Sequence, residues 1–96
     1  MKRIIGTMTY NTDAPGTVCI ASASNDPENN LRWTTETIYR TARGSWFIVG
    51  KGGTLTRYSA DKSQLFALTE ADAKLWLYLY DRAAWSRHFG ESKPQS

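Results

Sequence analysis

The rhythm of apolar and polar positions changes about two-thirds of the way along the chain. Residues 3–10 carry apolar and β-branched types and run into Asn11-Thr12-Asp13-Ala14-Pro15-Gly16, a dense turn cluster. Thr17-Val18-Cys19-Ile20-Ala21 then resumes a strand, and Ser24 to Asn30 is a polar loop. Thr34 to Thr41 alternates, with Glu36, Ile38 and Arg40 on one face and Thr37, Tyr39 and Thr41 on the other. Ala42-Arg43-Gly44-Ser45 supplies a short turn, with a glycine where a positive φ is wanted. Trp46-Phe47-Ile48-Val49 is apolar on both faces, as a central strand covered on both sides should be. Gly50-Lys51-Gly52-Gly53 reads as the next turn and Thr54 to Tyr58 as a third strand of an antiparallel meander.

From Leu68 the period becomes helical. Thr69 is a fit N-cap, Asp72 stands at the third helical position, and Glu70 adds negative charge at the positive end of the helix dipole. Ala71, Leu75, Tyr78 and Leu79 make one stripe, and Trp76, Leu77 and Tyr80 broaden it until the helix is apolar nearly all round. Asp81 caps a second, short helix through Ala84, Trp85 and His88, which Gly90 closes. The pattern predicts the α+β class: an antiparallel β-meander of four or five strands packed against a C-terminal helix, with a short second helix. Residues 1–90 read as a single domain and 91–96 as a polar C-terminal tail.

Size is sufficient for such a core. The 96 residues correspond to roughly 15,700 Å² of extended surface and about 5,500 Å² folded, so about 65% is removed from water. One cysteine, Cys19, excludes an intramolecular disulfide, and one histidine, His88, leaves no thiolate or imidazole cluster for a metal. No metal or other cofactor is expected. The apolar run after Lys2 and Arg3 is broken by Gly6, Thr7 and Thr9, and the longest apolar stretch, Leu75 to Tyr80, is far short of the ~20 residues that span a bilayer. A cytoplasmic protein with no membrane partner is the expectation.

Candidate chemistry is sparse. Gly50-Lys51-Gly52-Gly53-Thr54 fails the phosphate-loop pattern in spacing, in residue type and in the strand that follows. Cys19 in an apolar strand reads as a small buried hydrophobe. His88 at a helix C-terminus reads as an imidazole whose charged form the dipole favours. Among nine carboxylates, helix starts account for Glu70, Asp72 and Asp81, and turns for Asp13 and Asp26. Among the others, Glu36 stands on a strand face, with Lys51 or Arg57 as cross-strand ion-pair partners. No acid–base or nucleophilic pair emerges, so no enzyme is expected.

Charge is uneven. Residues 32–62 hold Arg32, Arg40, Arg43, Lys51, Arg57 and Lys62 against Glu36 and Asp61, whereas residues 1–31 sum to −1 and residues 63–96 to zero, giving +3 in all. Arg40, Arg43, Lys51 and Arg57 are therefore the candidate partner-binding cations, and the aromatics among them allow a nucleic-acid platform. Trp76, Tyr78, Tyr80 and Trp85 exceed what one helix face buries and are candidate protein-interface anchors.

Glu36-Thr37-Ile38-Tyr39-Arg40-Thr41, Gly44, Trp46-Phe47, Gly50, Gly52-Gly53 and Thr56-x-Tyr58 resemble a pattern, E-T-[LI]-Y-R-T-x-x-G-x-W-F, of small phage, plasmid and mobile-element proteins. Tyr10-Asn11-Thr12 and Leu68-Thr69-Glu70-x-x-Ala73-x-x-Trp76 extend the resemblance over most of the chain. Lys51 departs from the acidic residue of that pattern, and Leu77 to Tyr80 depart from its polar, acid-rich helix. The resemblance implies a mobile-element origin, where small non-enzymatic proteins block host defence complexes. The expected function is thus an anti-CRISPR-type inhibitor that binds a host defence protein or nucleoprotein complex and occludes it. The alternative is a small nucleic-acid-binding or regulatory module using the basic face of the meander. A homodimer through the apolar helix stays open.

Overall fold

A computed structural model describes residues 1–25 and 31–90. In chain order it contains β1 (Lys2–Ile5), β2 (Met8–Asn11), β3 (Val18–Asn25), β4 (Thr34–Arg40), β5 (Trp46–Gly52), β6 (Gln64–Leu68), α1 (Glu70–Tyr80) and α2 (Arg82–Phe89). β3, β4, β5 and β6 form a four-stranded antiparallel meander in that spatial order, and β1 and β2 form a separate two-stranded sheet. The chain belongs to the α+β class.

Alternation along β5 decides what each face carries. Trp46 and Ile48 join Ile38, Ala21, Ala73, Trp76, Leu77 and Ala84 in a core beneath the two helices. Phe47 joins Tyr10 and Leu65 in a second core beneath the β1–β2 hairpin, with Val49, Tyr39, Ile5 and Met8 at its margin. The central strand is thus apolar on both sides because it is covered on both sides. Strand β3 has a register shift between Cys19 and Ala21; the extra residue, Ile20, also packs on the helix-side core, as a bulge permits.

Helix boundaries follow the caps. The Thr69 hydroxyl accepts from the Asp72 N–H at 3.0 Å, and the Asp81 carboxylate accepts from the Ala84 N–H at 3.0 Å. Gly90 closes α2, its N–H donating to the Trp85 and Ser86 carbonyls. Gly44 (φ 90°) makes the β4–β5 turn, where the Ser45 N–H donates to the Thr41 hydroxyl.

Four expectations need correction. Residues 3–10 are two strands, not one, because Gly6 at φ 62° lets the chain reverse between them. Strand β3 runs on through Ser24 and Asn25, whose Ser22 and Ser24 hydroxyls bond Thr37 and Thr35 of β4; the rest of the expected loop, and the tail at 91–96, lie outside the described residues. Gly50 and Gly52 belong to β5, and the chain turns only after them. Residues 54–58 form turns rather than a strand, since the Thr56 hydroxyl donates to the Gly53 carbonyl and accepts from the Tyr58 N–H. The fourth strand of the meander is β6 instead.

Candidate functional site

Helix α1 carries two apolar stripes at helical spacing. Ala73, Trp76 and Leu77 are buried against the sheet. Ala71, Leu75, Tyr78 and Leu79, at positions i, i+4, i+7 and i+8, form the other, and all four are exposed: Leu75 58%, Tyr78 43%, Leu79 62%. The stripe that the sequence marks first is therefore the outward one. Tyr80, 44% exposed, flanks the two, its ring 5.1 Å from that of Trp76.

The outward stripe has a basic margin. The Arg82 guanidinium lies 3.8 Å from the centroid of the Tyr78 ring, and its Nε donates to the Tyr78 carbonyl at 3.1 Å. The Trp85 ring meets Tyr78 edge-on at 5.2 Å. Lys74, Leu75, Tyr78 and Trp85 line a shallow groove of about 300 Å³. On the other flank, Arg57, Leu75, Leu79 and Tyr80 line a second groove of about 290 Å³. Of the four candidate aromatics, Tyr78 and Tyr80 are thus exposed, Trp85 is half-buried behind Tyr78, and Trp76 belongs to the core.

The four candidate cations do not form one surface. Arg40 and Arg43 lie at the β4–β5 turn, Arg40 with its guanidinium 5.7 Å from the Trp46 ring. Lys51 is near the opposite end of β5, on the face that carries the hairpin, since it alternates with Phe47 and Val49. Arg57 is on the helix side, 4.6 Å from the Phe66 ring and 5.2 Å from that of Tyr58. Among the described residues the one ion pair joins the Met1 amino group to Asp13, so Arg40 and Arg57 rest on aromatic rings rather than on carboxylates.

Glu36 has partners other than the expected cations. Its carboxylate accepts from the Tyr58 hydroxyl at 2.6 Å and from the Trp76 Nε1–H at 3.0 Å. Arg57 donates to the Tyr58 oxygen at 3.3 Å. Burial and the bond to Glu36 push the Tyr58 phenol up to about 12, against a smaller opposing pull from Arg57. The Tyr58 ring lies on Gly50, where an added Cβ would stand 2.6 Å from it.

Two single residues also differ from expectation. Cys19 is exposed on the edge strand β3 rather than buried, because it faces the side of the sheet away from the helices, opposite Tyr39. The His88 imidazole is edge-on to Trp46 at 5.9 Å. Shielding of the ring there, together with Arg87 and Arg40, holds its pKa below the usual range although the residue as a whole is exposed. These effects outweigh the helix dipole, which favours the charged form.

Among the described residues no group of three or more His, Cys, Asp or Glu side chains is placed to hold a metal ion, and no helix is long and apolar enough to cross a membrane. Sequence reasoning placed Leu75 and Leu79 in an apolar stripe but named only aromatics of the helices as interface candidates, and passed over Arg82; the signal was an α1 sequence too apolar for a one-faced helix. An α+β chain with an unsatisfied helix face is the class that the geometry defines. No family model, no curated protein and no solved structure matches the chain.

Proposed function

We propose that the chain is a non-enzymatic binding protein of a mobile element that inhibits a host defence nucleoprotein complex, anti-CRISPR in type, by steric occlusion. The observation that carries the binding role is the outward stripe of α1: Leu75 and Leu79 stand in water beside Tyr78, on a helix whose other face already supplies the core. Contiguous exposed apolar surface with a polar rim is the mark of an interaction site. The rim here carries Lys74, Arg82 and Arg57 against one acid, Asp72, a net positive margin that suits an acidic partner. The mobile-element origin and the defence target rest on the resemblance of Glu36 to Phe47 and its flanks.

A cell-based interference assay tests this reading. Expression of the chain should relieve targeting by the host defence system, and the tagged protein should co-purify with a subunit of that complex. The double variant Leu75→Gln/Leu79→Gln should lose both effects while keeping its fold. Full targeting in the presence of the parent chain, with no defence subunit recovered, overturns the reading.

Direct nucleic-acid binding through Arg40, Arg43, Lys51 and Arg57 is the second reading, supported by the lack of carboxylate partners for them among the described residues. Their separation over both ends and both faces of the sheet weighs against it. A salt-sensitive gel shift that Arg40→Gln and Arg57→Gln each weaken would favour it.

A further inference from the structure

A further positive surface is lined by none of the four cations singled out in the sequence. Strand β1 packs along β6, the edge of the meander, and the two enclose a groove of about 460 Å³. Lys2, Arg3 and Lys62 line it together with Gln64, Leu65 and Phe66, and among the described residues no carboxylate does. Arg3 and Arg57 both stand over the Phe66 ring, 5.6 and 4.6 Å from its centroid, so the two guanidiniums are no more than about 10 Å apart. One donor of Arg3 is fixed on the Leu65 carbonyl. The remaining N–H groups of a guanidinium held in this way are pre-organised for a carboxylate.

We propose that this groove binds an extended acidic peptide segment of a partner protein. Alternate side chains of an extended chain lie roughly 6.6 Å apart on one face, so successive carboxylates of such a segment can meet the Arg3 guanidinium and the Lys2 and Lys62 ammonium groups that line the groove. Chain geometry favours a peptide as well, since β6 is an edge strand of the meander and an edge is where an extended segment adds. A single-stranded nucleic acid finds less here: Phe66 packs against the core and bears two guanidiniums, so the ring has no face for a base. The lining of the groove shares no residue with the margins of the α1 stripe.

Fluorescence anisotropy with a labelled decapeptide of alternating Glu and Val, titrated with the purified full chain, tests the assignment. Saturable binding at low salt is expected, falling as salt rises. Arg3→Gln/Lys62→Gln should weaken it by at least about tenfold, or 1.4 kcal/mol. Lys2→Gln/Lys62→Gln, which removes no internal hydrogen bond seen here, should weaken it in the same direction with an unchanged melting temperature. Leu75→Gln/Leu79→Gln should bind the peptide like the parent, which separates this test from the defence-complex reading. The assignment is overturned by a lack of saturable binding, by variants that bind as well as the parent, or by a labelled decathymidylate that binds more tightly than the peptide.

Discussion

The indole N–H of Trp76 donates to the Glu36 carboxylate at 3.0 Å, joining residues 40 apart in the chain and tying α1 to β4. The other carboxylate oxygen takes the Tyr58 hydroxyl, so one acidic side chain satisfies two part-buried donors at once. Deleting such an acceptor strands both donors, and the desolvation cost of each is about 1–3 kcal/mol.

Glu36→Ala is therefore expected to lower stability by about 2–4 kcal/mol, whereas Trp76→Phe, which keeps the Tyr58 bond, should cost about 1–2 kcal/mol. Urea unfolding followed by tryptophan fluorescence measures both. If Glu36 were merely a surface acid, Glu36→Ala would lie within about 0.5 kcal/mol of the parent.

Gly50 is needed for close approach rather than for its torsion angles. Gly50→Ala drives a methyl into the Tyr58 ring, and overpacking of this kind costs about 1–3 kcal/mol. Combining Gly50→Ala with Tyr58→Ala should remove the clash, so a double-mutant cycle is expected to show strong coupling between the two positions.

Alkaline pH should unfold the protein through Tyr58. Its folded pKa, about 12, stands above the ordinary phenol value of 10.0, so the folded state holds the proton more tightly than the unfolded chain. The stability this provides is complete below pH 10 and is lost as pH rises through about 12. In ultraviolet titration of tyrosinate absorbance, Tyr58 should ionise late and together with unfolding, and Tyr58→Phe should remove that late step.

Leu75 and Leu79 should be dispensable for folding although Leu77 is not. Glutamine at either exposed position is expected to change stability by no more than about 0.5 kcal/mol. Leu77→Ala, at a fully buried position, should cost about 2–5 kcal/mol. Thermal melts distinguish the two classes directly, and equal losses at Leu75 and Leu77 would contradict an outward stripe.

Short-range features of the fold were legible in the chain, and long-range ones were not. Thr69, Asp81 and Gly90 act on neighbours within a few residues, so their capping roles follow from local order. Trp46 to Val49 announced a strand covered on both faces because every position is apolar. Thr54 to Tyr58 misled because strand-like residue types there are diverted, Thr56 into bonding its own backbone and Tyr58 toward Glu36. The basic groove escaped notice for a similar reason: Lys2 and Arg3 belong to a segment of slightly negative charge and meet Lys62 only once β1 packs on β6. Which stripe of α1 faces inward was equally undecidable, since both are apolar and only the sheet selects between them.

The placement of the amino-terminal hairpin also bears on biosynthesis. Tyr10 leaves the ribosome early, yet Leu65, with which it shares the second core, follows 55 residues later, about 3–11 s at ordinary elongation rates of roughly 5–20 residues per second. Until then the hairpin has only Phe47 and its neighbours on β4 and β5 to settle on, and a contact this distant in sequence forms late for reasons of chain entropy as well. The fold thus closes its amino-terminal hairpin onto its last strand, so that a chain cut short in translation before β6 lacks Leu65 and both helices, and with them the outward stripe and the basic groove.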